Sequence, residues 1–417
     1  MLRSLFSAVS GLQAHQEMMD VIGNDIANVN TTGYKSNNTI FQDLLSQTLS
    51  GATAPGNPAA GVNPSQIGLG VRVIGTSSDF TQGTSEQTGR NLDLSIQGDG
   101  MFIGESNGQT LYTRAGSLQV DANGNLSTPD GMLIQGWQAN AAGVVNSSGP
   151  LTNIQLFAGA PIAATPTTSI SVDGNIGDVV PAGSNAPSTT LATAYDHLGA
   201  VHSLKLVFDP GSTLAANGKP VVTVSAYLDG SATPADTITG VTFDTSGASA
   251  NPSTLSLANS AAALGTTGLT LDLTAVTAAA IPANSGPTIQ ATAQNGAPTG
   301  VLQTFDFSSD GTINGVYSNG THQALGRIAL ASFSNPAGLE RAGDTAFRAT
   351  SDSGLPQVGA AGTGGRGQLS PGTLEMSNVD LAKEFTKLIE AQRGFEANGK
   401  VITSSDQLLQ TLINLKQ

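Results

Sequence analysis

The sequence lacks cysteine and is poor in charged and aromatic residues. Of its 417 residues, only 11% are charged and 5% aromatic, with a single Trp. Without cysteine there is no disulfide framework, no thiolate nucleophile and no thiolate metal site. The length exceeds what one hydrophobic core usually supports, so the chain is expected to form two or more domains.

Basic residues are also scarce. The chain has 16 Lys and Arg against 30 Asp and Glu, giving a net charge of −14. A protein that binds nucleic acid must neutralise phosphates with basic side chains, so this composition argues against that function. Few charges combined with many Gly, Ala, Ser and Thr residues favour a β-rich exported or assembled protein over a cytosolic enzyme.

No apolar run reaches 18 residues, so no membrane-spanning helix and no membrane insertion are predicted. The first residues loosely resemble a secretion signal, but Ser4, Ser7 and Ser10 interrupt the apolar stretch and no cleavage site follows. We therefore expect an amphipathic helix that stays in the mature protein. Its predicted packing residues recur at steps of three and four: Leu2, Leu5, Val9, Leu12, Met19, Ile22 and Ile26.

A second helical pattern follows Ser377, which together with Asp380 is expected to start the helix. Gly394 and Gly399 each weaken this helix by about 1 kcal/mol relative to Ala, and they either admit a close neighbour or soften the helix. Its predicted packing residues are Leu381, Phe385, Leu388, Phe395, Ile402, Leu409 and Leu412.

Neither terminal helix can bury its apolar stripe alone. Two interpretations stay open on the pattern. The helices pack as a coiled coil, with each other or with copies from other subunits, or they form a helical hairpin that closes one domain.

Between the helices the apolar residues alternate with a period of two, which predicts strands. Asn-Gly and Asp-Gly pairs punctuate this region and supply the positive φ of tight hairpin turns. Many closely spaced hairpins predict antiparallel β domains in the middle of the chain. The strand candidates are 71–75, 92–96, 110–113, 117–120, 204–209, 221–228, 269–273 and 327–333.

The predicted fold class is therefore a mainly β, multidomain protein with α-helical termini and nested domains. Residues 1–30 and 375–417 are assigned to a terminal coiled-coil domain. Residues 71–145 and 323–353 are assigned to an inner β domain, and residues 146–322 to an inserted outer β domain that is poor in basic residues. Residues 31–70 and 354–374, which include stretches dense in Gly, Pro and small polar residues, are assigned to connecting segments.

Catalytic and metal-binding patterns are weak. His197 and His202 would face opposite sides of one strand, and no metal-ligand spacing occurs. The segment Asp121–Asn125 faintly resembles a calcium loop but lacks the downstream Glu, so a hairpin turn is preferred. No nucleophile elbow or phosphate loop is present, and a sugar-cleaving carboxylate pair is improbable with so few charges and aromatics. We expect no enzyme activity, no metal and no cofactor.

The most informative motif is NDIANVNTTGYK, from Asn24 to Lys35. Its polar side chains can cap the end of the first helix, and Gly33 permits a left-handed turn. Tyr34 can then anchor an extended segment through its ring. The plain interpretation is a capped helix followed by a loop, because no member of the motif is reactive. The residues singled out are Asn24, Asn28, Thr32, Gly33, Tyr34 and Lys35.

This motif, with the helix before it, resembles the N-terminal signature of bacterial flagellar rod and hook proteins. The stretch SNVDLAKEFTKLIEAQRGFEANGKVITSSDQLLQTLINL resembles their C-terminal signature. The middle, including ATAYDHLGAVHSLKLVFD and LGRIALASFSNPAGLERAGDTAF, resembles the hook members of the family. A distal rod-type protein is the alternative, but such proteins are shorter and lack an insertion like 146–322.

The resemblance implies a structural subunit that polymerises with itself into a curved, flexible tube. That tube would act as a universal joint, transmitting torque from rod to filament around a central export channel. It further implies contacts with the hook cap, the distal rod and hook–filament junction proteins. Export through the flagellar type III apparatus without a cleaved signal peptide, and an extracellular place in the hook and basal body, are also implied. Marginal terminal helices would be disordered in the monomer and order on assembly.

Two unrelated classes of protein fit the sequence less well. A secreted adhesin would need a secretion signal or a membrane anchor, and neither is readable. A cell-wall hydrolase would need a catalytic cluster within 146–322, and none is visible.

Overall fold

Contacts along the chain divide it into two units. In the computed structural model the described residues are 2–54, 60–177, 187–215, 220–244, 246–247, 250–279 and 287–414. Unit 1 consists of Met1–Phe157, Asp306–Asn314 and Gln323–Gln417, and unit 2 consists of Ala158–Phe305 and Gly315–His322. Residues 146–157 and 306–314, which the sequence analysis placed in the outer domain, thus lie in unit 1. Ile154 and Leu156 explain part of this difference, because both are buried there.

The first part of the chain is one long helix followed by short strands. The elements are α1 (Leu2–Ala27), β1 (Asn37–Asp43), β2 (Ser46–Ser50), β3 (Ser65–Gly68), β4 (Val71–Ser78), β5 (Ser85–Gln87), β6 (Leu94–Gln97), β7 (Met101–Ser106), β8 (Gln109–Thr113), β9 (Gln119–Val120), β10 (Leu126–Ser127), β11 (Leu133–Gln138) and β12 (Thr152–Asn153).

Apart from one short helix, the regular elements described in the middle of the chain are strands. Its elements are β13 (Pro161–Ile162), β14 (Ser169–Asn175), β15 (Ser188–Tyr195), β16 (Val201–Leu214), β17 (Pro220–Leu228), β18 (Asp236–Phe243), β19 (Ala250–Asn251), β20 (Thr254–Ser256), α2 (Ala258–Ala263), β21 (Thr270–Thr277), β22 (Gln290–Gln294), β23 (Gly300–Phe307) and β24 (Thr312–Tyr317).

The last part returns to unit 1 and closes with the second long helix. It contains β25 (His322–Ser332), a 3-10 turn (Pro336–Gly338), β26 (Glu340–Gly343), β27 (Ala346–Arg348), β28 (Gln357–Ala360), β29 (Gln368–Pro371), β30 (Thr373–Glu375) and α3 (Leu381–Asn414).

The sheet of unit 1 is built from both halves of the chain. β7 pairs with β8, β8 with β27, and β27 with β26, while β11 pairs with β7, β12 and β25. The late strands β29 and β30 pair with the early strands β6 and β5. Trp137, the only Trp of the chain, is buried in this core beside Met101 and Phe347. Unit 1 therefore cannot form its core until both chain halves are present.

Unit 2 packs two sheets around one apolar core. One sheet has the order β15-β16-β17-β18-β19, and the other has the order β20-β21-β14-β22. Alternate residues of both sheets face the core, for example Leu206 and Phe208 from β16 and Leu271 and Leu273 from β21. The prediction of antiparallel pairing fails at one place, because β14 and β21 run parallel.

Every predicted strand overlaps a strand of the structure. The Asn-Gly and Asp-Gly turns also have the expected conformation, as at Asn107 (φ 52°) and Gly108 (φ 75°). Asp173-Gly174 is the exception, since it lies within β14 beside an irregularity in the pairing with β21. The Asp121 segment is a hairpin turn, in which the Asp121 carboxylate accepts from the Asn123 and Asn125 backbone N–H groups.

The predicted connecting segments contain strands. β1 pairs with β4 and β2 with β3, so much of 37–78 is a two-stranded antiparallel ribbon. Many of its apolar side chains are exposed, including Leu45 (64%) and Leu49 (57%). The segment 354–374 supplies β28, β29 and part of β30. The stretch around β2 and β3 has no alternating pattern because neither face of that ribbon is buried. The segment 354–374 is dense in Gly and small polar residues, although its Ala360 and Leu369 are buried.

Candidate functional site: the paired terminal helices and their buried anchor

The two terminal helices, α1 and α3, contact each other in antiparallel register within unit 1. Gly11 lies opposite Asn398, and His15, further along α1, lies opposite Gly394, earlier in α3. Small side chains fill the seam, because Ala8 and Ala14 on α1 and Ala391 on α3 are all nearly fully buried. The pairing of helices from opposite ends of the chain is as predicted.

The seam distinguishes the two glycines of α3. A Cβ atom on Gly394 would lie 2.5 Å from the His15 imidazole, whereas one on Gly399 would have no neighbour within 4 Å. Gly11 resembles Gly394, since its Cβ would lie 2.7 Å from the Asn398 amide nitrogen. Of the two roles considered for these glycines, Gly394 therefore provides close approach and Gly399 does not.

Of the predicted packing residues whose side chains are described, only Ile22 is buried. On α1, Ile22 is buried while Val9 is 43% exposed, and on α3, Phe385 is 50% exposed. The side chains of Leu2 and Leu412 lie outside the described residues. Half-buried positions are Leu5, Leu12, Met19, Ile26, Leu388, Ile402 and Leu409, and the other exposed positions are Leu381 and Phe395.

The helix α3 begins later than predicted. It starts at Leu381, and the Asp380 carboxylate accepts from the Ala382 (2.9 Å) and Lys383 (3.3 Å) backbone N–H groups. The Ser377 hydroxyl accepts only from the Val379 N–H, before the first helical turn. Asp380, not Ser377, thus caps the helix, and its negative charge suits the positive end of the helix dipole.

The motif after α1 forms a tight, hydrogen-bonded turn. The Asn28 side chain donates to the Asn24 carbonyl (2.9 Å), and the Thr31 hydroxyl donates to Asn28 Oδ1 (3.0 Å). Thr32 is half-buried. Gly33 has φ +69°, the left-handed conformation that the sequence predicted, and a Cβ there would lie 2.5 Å from the Ala115 nitrogen. Only glycine fits this position, for reasons of both conformation and space.

Tyr34 is buried and linked to the last turn of α1. Its hydroxyl donates to Asp25 Oδ1 (2.8 Å) and accepts from the Asn24 side chain (3.0 Å), while Asp25 Oδ2 accepts from the Asn37 N–H (2.8 Å). Burial and the Asp25 carboxylate raise the pKa of Tyr34 to about 12. Burial also raises the pKa of Asp25, and the nearby charge of Glu384 on α3 acts in the same direction.

Lys35 belongs to a buried ion cluster around Glu375. Its Nζ lies 2.6 Å from Glu375 Oε1 and donates to the Thr81 carbonyl at 2.7 Å, and the two charged side chains are 0% and 1% exposed. Arg114 Nη1 binds the other carboxylate oxygen of Glu375 at 3.1 Å. Burial lowers the pKa of Lys35, and the charge of Glu375 opposes this effect. We call Lys35, Glu375 and Arg114 the anchor.

Arg341, on β26, joins the motif to the sheet. Its guanidinium lies 4.8 Å from the centre of the Tyr34 ring and 5.7 Å from that of Phe347, and it donates to the Lys35 carbonyl. These contacts, together with the anchor, attach the end of α1 and the start of α3 to the β strands of unit 1.

Sequence reasoning selected Tyr34 and Lys35 but missed their partners Asp25, Arg114, Arg341 and Glu375. Arg114, Arg341 and Glu375 come from segments far from the motif in the chain, and a single sequence carries no record of such pairing. Asp25 lies within the motif itself, nine positions before Tyr34. The one available signal is the small number of charged residues. In a chain with so few of them, each charged residue near a polar motif is a candidate partner.

The described residues offer little for other chemistry. They contain no group of His, Asp or Glu side chains arranged to hold a metal ion. None of the helices in these ranges is long and apolar enough to cross a membrane. In unit 2, His202 bridges two turns, with Nδ1 2.7 Å from Asp229 and Nε2 3.6 Å from Asp196.

Three family models match the chain in succession. Residues 5–35 match the model described as "Flagella basal body rod protein". Residues 95–177 match "Flagellar hook protein FlgE/F/G D1 domain", and residues 370–415 match "Flagellar basal body rod FlgEFG protein C-terminal". Gly33, Tyr34 and Lys35 lie in the first match, Arg114 in the second and Glu375 in the third.

Whole-length relatives agree with these matches. The chain is 38% identical to the flagellar hook protein FlgE of Treponema pallidum, with all of both chains covered. It is 35% identical to FlgE of Salmonella typhimurium, covering 99% of this chain and 100% of the relative. Identity to the flagellar basal-body rod protein FlgG of Bacillus subtilis is 28%, again with both chains fully covered. A solved Helicobacter pylori hook protein, FlgE2, aligns with a TM-score of 0.49 and 13% identity over 70% of this chain and 100% of that chain. On the identities to the hook proteins, this chain belongs to the flagellar hook protein family.

Proposed function

We propose that the chain is the structural subunit of a bacterial flagellar hook and polymerises into a curved, flexible tube. The tube transmits torque from rod to filament and leaves a central export channel. The observation that carries the proposal is the antiparallel pair of terminal helices, which bury a seam of small residues and keep large apolar side chains exposed.

Several large apolar side chains of the two terminal helices are exposed. Phe6 is 70% exposed, and Leu381, Phe385 and Ile389 are 41%, 50% and 57% exposed. The last three follow one another at four-residue steps along α3, so they form one stripe on one side of the helix. Exposed stripes of this kind are stabilised when another apolar surface covers them, and in a homopolymer that surface belongs to further copies of the chain.

Further partners follow from the family resemblance. We propose contacts with the hook cap, the distal rod and the hook–filament junction proteins, and passage through the flagellar type III export apparatus. Because Ala8, Gly11 and Ala14 fill the helix seam, we infer that the N-terminal segment is retained and not cleaved as a signal peptide. The mature protein would lie outside the cell in the flagellum and have no enzymatic activity.

A distal rod subunit is the second candidate, because two of the three family models carry the rod name. The higher identity to hook proteins than to the Bacillus subtilis rod protein favours the hook. Tube shape separates the two, since a hook subunit should give curved tubes and a rod subunit straight ones.

Electron microscopy of the purified chain under polymerising conditions tests the proposal. Wild-type protein should form curved tubes, and the double variant Phe385→Gln/Ile389→Gln should not, because it loses the exposed stripe without disturbing the seam. Glu390→Gln/Arg393→Gln, which changes exposed polar residues of the same helix, is the matched control and should polymerise normally. Absence of tubes from wild-type protein would refute the proposed function, and normal tubes from the first variant would refute the role of the stripe.

A further inference from the structure

Arg341 occupies an unusual place for a charged residue. It lies on β26, yet its guanidinium is placed between the rings of Tyr34 and Phe347 and donates to the Lys35 carbonyl. Arg348, on the paired strand β27, instead forms a half-exposed ion pair with Glu340 at 3.0 Å. Two arginines of one hairpin therefore have different surroundings, and only Arg341 contacts the segment that follows α1.

The contacts of Arg341 lead directly into the last turn of α1. Arg341 stacks on Tyr34, the Tyr34 hydroxyl donates to Asp25, and Asp25 lies within α1. Each link is directional, because a planar guanidinium stacks on an aromatic face and a hydroxyl hydrogen bond has a preferred angle. These contacts therefore connect the direction of α1 to the position of the strand β26.

The linkage has free space on one side. A cavity of about 350 Å³ borders it, lined by Asn28, Thr31, Tyr34, Arg341 and Thr345 among others. Dense packing would hold Tyr34 in place without Arg341, but a cavity lets the ring and its segment shift when the stacking partner changes. The Arg341 contact therefore acts together with the contacts of α1 with α3, β1 and β4 in setting the angle of the helix.

We propose that Arg341 is a positioning residue that sets the angle between the terminal helix pair and the sheet of unit 1, and so sets the helical geometry of the polymer. This inference rests on the proposed function. The 26 residues of α1 span about 39 Å, so a tilt of about 5° at the anchored end displaces the far end by about 3 Å. A displacement of that size, repeated at every subunit, alters the twist and curvature of a tube.

The test compares tubes of full-length variants by electron microscopy with helical reconstruction. Arg341→Lys keeps the charge but loses the planar stack and the fork of donors, so we expect tubes with a shifted twist per subunit. Tyr34→Phe keeps the ring and removes the hydrogen bond to Asp25, and should shift the twist as well. Arg348→Lys is the matched control and should give wild-type tubes. Unfolding of unit 1, followed by Trp137 fluorescence, shows that each variant is folded.

The results distinguish the positioning role of Arg341 from the proposed function. Shifted twist in Arg341→Lys and Tyr34→Phe, with wild-type twist in Arg348→Lys, supports the positioning role. Tubes of Arg341→Lys that superimpose on wild-type tubes would overturn it, whether or not the variant is less stable. If Arg341→Lys fails to fold, Tyr34→Phe decides in the same way. Failure of the wild type to polymerise would count against the proposed function instead.

Discussion

Lys35 and Glu375 are separated by 340 positions in the chain, yet their side chains form a buried ion pair at 2.6 Å. Arg114 binds the same carboxylate, so one acidic group is shared by two cations. Removing such charges from water costs free energy, and this cost is offset only when every ion-pair partner is in place. The anchor therefore specifies one arrangement of three distant segments and penalises the alternatives.

Glu375→Gln should destabilise unit 1 strongly. The substitution leaves Lys35 and Arg114 buried without their shared carboxylate, and breaking a buried pair from one side typically costs about 3–5 kcal/mol. Lys35→Met should cost less, because Glu375 keeps Arg114. Denaturant unfolding followed by Trp137 fluorescence reports on unit 1 alone, since this is the only Trp of the chain. Arg348→Met, at a half-exposed pair, serves as the control and should cost less than about 1 kcal/mol. Equal losses for Glu375→Gln and Arg348→Met would contradict the role of the anchor.

Alanine at the two glycines of α3 should have opposite effects. Gly399→Ala should stabilise α3 by up to about 1 kcal/mol, because the added methyl meets open space and Ala is the better helix former. Gly394→Ala should weaken the contact with α1, because the methyl would meet the His15 ring. Amide hydrogen exchange across α1 and α3 measures both changes. Increased protection in both variants would show that the seam tolerates a wider separation than the structure has.

Unit 2 should be stabilised by His202 at mildly acidic pH. Its hydrogen bond to Asp229, with a further contribution from Asp196, raises the pKa of His202 above the ordinary value of 6.5. A group whose pKa is raised by folding stabilises the protein fully below its unfolded value, and this stabilisation is lost as the pH rises through the folded value. His202→Gln should therefore lower the melting temperature of unit 2 at pH 6 and leave it nearly unchanged at pH 9. The effect should stay below about 1 kcal/mol because the pair is partly exposed. His322→Gln, at an exposed position, is the control. A loss of the same size at both pH values would refute the charge-based explanation.

Removing residues 158–305 should leave a protein that still forms tubes. This cut removes the longer segment of unit 2 and keeps its short segment 315–322. It also retains 306–314, where Asp310 pairs with Arg327 of unit 1. A cut at 146–322 would instead remove the buried residues Ile154 and Leu156 and should unfold unit 1. We expect the first variant to give tubes of altered curvature with wild-type Trp137 fluorescence. Complete loss of tubes from a folded variant would contradict the assignment of unit 2 to an outer role.

Local patterns predicted both long helices and eight of the strands, but few of the contacts. The long helices and strands such as β16, β17 and β21 of unit 2 were readable because they have a buried face and therefore a period. The ribbon around Leu45 and Leu49 was missed because neither of its faces is buried, so its residues carry no alternation. The predicted packing residues differ from those of the seam for a related reason. Ala8 and Gly11 contribute little to an apolar pattern, although they lie in the seam.

The sequence predicted the turn after α1 but not the contacts of its side chains. Tyr34 and Lys35 stood out in the sequence, but the partners that give them a role lie on other elements. Gly33 was the exception, because the requirement for a left-handed turn is local and is therefore visible in the sequence. Long-range ion pairs are set by topology, which a single sequence specifies only through the finished fold.

The anchor also has a consequence for how the chain matures. A polypeptide that stops before residue 375 contains Lys35 and Arg114 but lacks the carboxylate that neutralises both. In such a fragment, closing the sheet would bring two uncompensated positive charges into an apolar interior. Unit 1 can therefore reach its native state only when the polypeptide includes residue 375.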